Sequence, residues 1–137
     1  MTTKEYLSQA YRLDQRINSK IEQVASLNDL AIKATSVLTG MPHEPSPSAS
    51  RMANVIAKII DLQGEINEDI DRLVDLKVEI VNTIRGISNL QYQIVLEKRY
   101  LCFFTWEQIA EDMDYDLRYL YKIHNRALKA VDFTRAA

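Results

Sequence analysis

Glycine and proline are scarce in this 137-residue chain, with three of each, and all the prolines fall between Pro42 and Pro47. No stretch alternates Val, Ile and Thr with polar residues, so the pattern excludes a sheet and predicts an all-α fold. Cysteine is limited to Cys102, which rules out an internal disulfide and suits a reducing compartment. It lies in the apolar run Tyr100-Leu101-Cys102-Phe103-Phe104, without a second Cys or a nearby His to share a metal, and is expected to be a buried thiol. No apolar run approaches the ~18 residues of a membrane span. The start, Met1 to Glu5, does not lead into the apolar stretch of a signal peptide, so a cytoplasmic protein without a membrane partner is expected. Gly-rich phosphate loops, Ser/His/Asp orders and HExxH runs are missing, which leaves an enzyme without support. The two histidines, His43 and His124, have no matched carboxylate spacing, and neither a metal nor a cofactor is expected. A net charge of -2 argues against a protein that coats nucleic acid non-specifically, because that mode neutralises many phosphates. Any DNA contact has to be local.

What is present is the composition of an ordinary globular domain, 47% apolar and 26% charged, in a chain long enough to bury a core. From Tyr6 to Leu38, apolar residues recur at Tyr6, Ala10, Leu13, Ile17, Val24, Leu27, Ala31, Ala34 and Leu38, which predicts a long amphipathic helix. The pattern misses once, at Lys20, where Ile21 partly covers. Gly40 is a suitable residue to end the helix, and the Pro-rich stretch from 40 to 50 predicts a surface loop.

Ser48 or Ser50 can cap a second helix, in which Met52, Ile59, Ile66, Leu73, Ile80 and Ile87 fall seven apart, as a positions of a heptad. Val55, Leu62 and Leu76 occupy d, while Asp69 and Thr83 interrupt d and are expected to hand the contact to Ile70 and Ile84 at e. At ~1.5 Å per residue this helix reaches about 50 Å and needs a partner. The first helix, folding back as a coiled-coil-like hairpin, is one candidate, and a homodimer through the long helices is the other. Gly64 inside the helix is expected to mark a close approach or a kink. Gly86 to Asn89 end or bend it, with Ser88 or Asn89 as the next cap, so residues 1–87 are predicted as one unit and 88–137 as another.

After Leu90 the helices shorten. A helix of about three turns runs to Tyr100 and Leu101. Thr105-Trp106-Glu107-Gln108 then reads as a capping box, with Gln108 reaching back to Thr105. Counted from Trp106, Ile109 and Ala110 stand at positions four and five of a helix-turn-helix unit, Met113 at eight, and Leu120 and Ile123 at fifteen and eighteen. The small residue permits a close crossing and the apolar ones hold the second helix at a fixed angle. Asp114 occupies the turn position usually given to glycine, which Asp tolerates because it enters the left-handed region more readily than most residues. Asp116 can cap a helix from Leu117 to about Val131.

Along that helix Arg118, Lys122, Arg126 and Lys129 share a face opposite Leu120, Ile123, Ala127 and Val131. Tyr119, Tyr121, His124 and Asn125 lie between the charges and can touch base edges or phosphates. For His124, packing is an equal alternative. Asp112, Asp114 and Asp116 beside the turn either repel phosphate or serve as caps.

The stretches Leu90 to Tyr100, Thr105 to Ala110 and Ile123 to Leu128 resemble region 4 of sigma-70 factors. With a helical N-terminal half ahead of it, the chain resembles small phage or prophage transcriptional regulators of Gram-positive bacteria. That resemblance implies a helix-turn-helix whose second helix enters the major groove of double-stranded DNA, with Thr105 and Trp106 near the DNA backbone, and contact with RNA polymerase as a further expectation. The expected DNA-contacting residues are Thr105, Trp106, Arg118, Tyr119, Tyr121, Lys122, Asn125, Arg126 and Lys129. Two other readings stay open: a DNA-packaging component akin to a phage small terminase subunit, and a protein-interaction module that inhibits a host protein.

Overall fold

The computed structural model describes residues 1–38 and 47–132 and is helical throughout, with no strand among the described residues. Five helices follow one another: α1 (Thr3–Leu38), α2 (Pro47–Arg85), α3 (Leu90–Tyr100), α4 (Trp106–Met113) and α5 (Leu117–Ala130). The all-α class is as the composition predicts. None of these helices is long and apolar enough to cross a membrane. Of the Pro-rich stretch, residues 40–46 lie outside the described residues, as does the predicted helix stop at Gly40.

The second helix starts earlier than predicted. Pro47 is its first residue, where a missing N–H costs nothing and a fixed φ favours the helix, so Ser48 and Ser50 lie inside α2 rather than capping it. Gly64 also departs from expectation. A Cβ built there would meet nothing within 4 Å, so no close approach requires glycine, and α2 continues through it.

The chain packs as two compact units, Met1–Asp14 with Arg72–Ala137, and Gln15–Asp71, so both long helices pass through both. The boundary predicted at 87/88 therefore moves into α1 and α2. The physical reason is the first core cluster: Tyr6, Leu7 and Ala10 of α1 and Ile80, Ile84 and Ile87 are buried together with Leu96, Tyr100 and Ala127. The ends of the long helices thus complete the core of the three short ones. A second cluster, Val95, Ile109, Ala110, Leu120 and Ile123, joins α3, α4 and α5 directly.

In the unit Gln15–Asp71, α1 and α2 run antiparallel. Lys20 meets Asp69, and further along α1 Gln23, Ser26 and Leu27 face Lys58, Asp61, Leu62 and Glu65 across a groove. Heptad position d at Asp69 is not handed to Ile70, as the apolar pattern predicts. Asp69 is 5% exposed and Ile70 41%, because Lys20 supplies a cation opposite the carboxylate. At the other interrupted d position, Thr83, the hydroxyl lies 3.2 Å from that of Tyr6, while Ile84 is fully buried as predicted.

Candidate nucleic-acid interface

Three short helices carry the predicted site residues, and each is fixed by a local cap. Asn89 starts α3 by accepting the N–H of Tyr92 at 3.2 Å. At its far end the N–H groups of Leu101 and Cys102 both donate to the carbonyl of Glu97, and the N–H of Phe104 donates to that of Lys98. This tight exit puts Phe103 at φ 61, in the left-handed region unusual for a bulky residue. Its ring is held by an edge-on contact with Tyr11 at 5.5 Å and by the Lys77 ammonium 4.6 Å from its centroid. Lys77 also donates to the Leu101 carbonyl at 3.2 Å. The same turn exposes Cys102, against the expectation of a buried thiol. An apolar run cannot all face inward once its helix has ended at Tyr100.

The capping box of α4 is present: Thr105 Oγ1 accepts the N–H of Gln108 at 3.1 Å, and Gln108 Oε1 accepts that of Thr105 at 2.8 Å. Asp114 closes α4 at φ 57, ψ 45, the left-handed conformation that its place in the turn requires. Asp116 Oδ1 accepts the N–H of Tyr119 at 2.7 Å and starts α5. Asp112 forms an ion pair with Lys98. All three acids beside the turn thus have structural work: a pairing, a left-handed turn and a cap.

On α5, Leu120, Ile123, His124 and Ala127 are buried, whereas Arg118, Lys122, Asn125, Arg126 and Lys129 are exposed. At about 100° per residue the buried four share one arc, with Arg118, Lys122, Asn125 and Lys129 opposite and Arg126 at the flank. No acidic residue occurs in the helix. Tyr119 and Tyr121 are exposed yet anchored. Tyr119 meets Tyr115 edge-on at 4.9 Å, and its hydroxyl accepts from Gln91 Nε2 at 3.3 Å. Tyr121 lies edge-on to Trp106 at 5.5 Å. Trp106 is half-buried beneath the Arg99 guanidinium, whose carbon is 4.4 Å from its ring centroid.

His124 is packed. Its Nε2 shares a 2.7 Å hydrogen bond with the Tyr100 hydroxyl, and its ring lies between Tyr100 and Trp106 with centroids 5.7 and 4.6 Å away. Burial, reinforced by the positive charges of Lys4 and Arg99, lowers its pKa to about 4, so the imidazole is neutral at pH 7. Burial raises the Tyr100 pKa to about 12, despite the opposing charge of Arg99. Helical spacing alone leaves His124 at the edge of the apolar arc. The partner that draws it inward, Tyr100, is 24 residues away in sequence.

Arg99 and Lys4 are the functional candidates that the helix pattern does not single out. A signal for Lys4 was available in the spacing Thr2-x-x-Glu5: Thr2 Oγ1 accepts the N–H of Glu5, and Glu5 Oε2 that of Thr2, both at 3.1 Å, a second capping box that fixes the first turn of α1. Among the described residues, no group of three or more His, Cys, Asp and Glu side chains could hold a metal ion. The chain matches no protein-family model, no curated protein and no solved structure.

Proposed function

We propose that this chain is a sequence-specific DNA-binding transcriptional regulator in which α4 and α5 act as a helix-turn-helix and α5 enters the major groove. The observation that carries the reading is the outward face of α5: three cations, Arg118, Lys122 and Lys129, with Arg126 at the flank and no acid in the helix, opposite a face held by the buried Leu120 and Ile123. Cations on a rigid, capped helix displace counterions from phosphates without ordering a flexible segment first. Asn125, exposed on the same face, can pair with adenine through both its amide atoms. Tyr119 and Tyr121 serve as anchored rims, and Thr105 and Trp106 face the DNA backbone at the start of α4. The resemblance to sigma region 4 supports regulation of phage genes and contact with RNA polymerase.

Gel shifts with fragments of the source genome at two salt concentrations test this, beside the double variant Arg118→Ala/Arg126→Ala. Selective, salt-sensitive binding that the variant loses is the expected result. Binding to no fragment at low salt overturns it.

A second reading, a DNA-packaging component that works as a ring, draws on the exposed Ile56 and Ile60 of α2, apolar side chains suited to self-association. A solution mass of about eight or more subunits favours that reading. A monomer or dimer favours the regulator.

A further inference from the structure

We infer that the cleft lined by Lys4, Ser8, Tyr11, Arg99 and Thr105 is a binding site for a phosphate group. The cleft has a volume of about 180 Å³, and its walls are completed by Tyr100 and Phe103. A single water needs only ~10–15 Å³ of such space, so the cleft has room for a tetrahedral anion that keeps part of its hydration. Two of the lining side chains are cations, four carry hydroxyls, of which Ser8, Tyr11 and Thr105 can donate to an anion while that of Tyr100 is engaged with His124, and none is a carboxylate.

Arg99 is held through its side chain and Lys4 through its backbone. Arg99 Nη1 donates to the Phe104 carbonyl at 3.0 Å and its guanidinium carbon lies 4.4 Å from the Trp106 ring centroid, so this lining residue keeps further N–H groups to donate. Lys4 sits within the capping box of Thr2 and Glu5 at the start of α1. The Thr105 backbone N–H is already spent on Gln108, so recognition falls to the side chains. An independent sign of the local field is that Lys4 and Arg99 both act on the buried His124 to disfavour its protonated form. An anion between them relieves the repulsion of two cations brought onto one cleft.

Such a phosphate has two sources. One is the DNA backbone flanking α5, since Arg99 reaches α5 through Trp106 and Tyr121; this source rests on the DNA-binding reading. The other is free phosphate, which does not.

Trp106, the only tryptophan, lies against Arg99 and reports occupancy by its fluorescence in the full-length protein. Inorganic phosphate is titrated at constant ionic strength against chloride, with wild type, Lys4→Ala and Lys4→Arg. Lys4 is exposed, and unchanged thermal unfolding verifies that the variants fold. The expected result is a saturable change in wild type, about tenfold weaker in Lys4→Ala and recovered in Lys4→Arg. For DNA, Lys4→Ala is expected to lower the salt slope of binding by about one. Either signature supports the site. A phosphate response without DNA binding by any form assigns the cleft to free phosphate and overturns the DNA reading alone. Absence of both signatures, including a phosphate response that Lys4→Ala leaves intact, overturns the cleft; DNA binding by wild type would then leave the α5 reading standing.

Discussion

The Lys20 ammonium lies 2.6 Å from the Asp69 carboxylate, and both side chains are nearly sealed from solvent, at 12% and 7% exposure. Glu65, at 3.7 Å from the same ammonium, is half exposed and adds little. The pair joins the unit Gln15–Asp71 at one register of the two helices. Removing one partner strips a largely buried charge of this counter-ion, whereas replacing both with apolar groups removes the desolvation cost altogether. Lys20→Ala or Asp69→Ala is expected to destabilise by about 3 kcal/mol in urea unfolding, and Lys20→Met with Asp69→Leu to equal or exceed wild type. A double variant as unstable as the singles would show that the seam needs the charges themselves.

The turn between α4 and α5 depends on a left-handed Asp114. Asp114→Gly is expected to change stability by no more than about 0.5 kcal/mol, because relief of the left-handed conformation is offset by a more flexible unfolded chain. Asp114→Val, β-branched at positive φ, is expected to lose about 1–2 kcal/mol. Thermal unfolding of the two variants distinguishes them, and equal midpoints would contradict the role assigned to this backbone.

His124 ties stability to pH. Its folded pKa of about 4 lies below the ordinary value of 6.5, so above pH 6.5 neither folded nor unfolded chain carries the proton and the residue has no effect. As pH falls from 6.5 to 4 the unfolded chain takes up the proton first, and stability declines by up to about 3 kcal/mol before levelling off. Unfolding measured across this window is expected to show that decline in wild type and to lack it in His124→Phe. Parallel curves would indicate that another group sets the acid limit.

Cys102, exposed by the turn after α3, is expected to react with a thiol reagent in the native protein at nearly the rate seen in denaturant. Strong protection in the native state would place the thiol inside.

The helices, the caps of the three short ones and the basic face of α5 were legible in the residue pattern because they depend on neighbours within about four positions. Thr105 with Gln108, Asp116 with Tyr119, and the alternation of Arg118, Lys122 and Arg126 with Leu120, Ile123 and Ala127 are all local. Where the apolar pattern broke at Thr83, the substitute it offered, Ile84, is the buried one, but at Lys20 and Asp69 it gave the wrong substitutes, since Ile21 and Ile70 are exposed. Lys20 and Asp69 each look like a defect in a single helix, and only the pairing of two helices turns the defects into one ion pair.

By itself the sequence determined the all-α class, the periodic faces of the long helices and the left-handed turn at Asp114, since each follows from local backbone preference and spacing. Tertiary structure alone decided that the ends of α1 and α2 complete the core of the short helices, that His124 turns inward to Tyr100, and that Lys4 and Arg99 share a cleft. Those outcomes join residues tens of positions apart. They are settled by which apolar surfaces can be buried together, a property of the packed helices and not of any one of them.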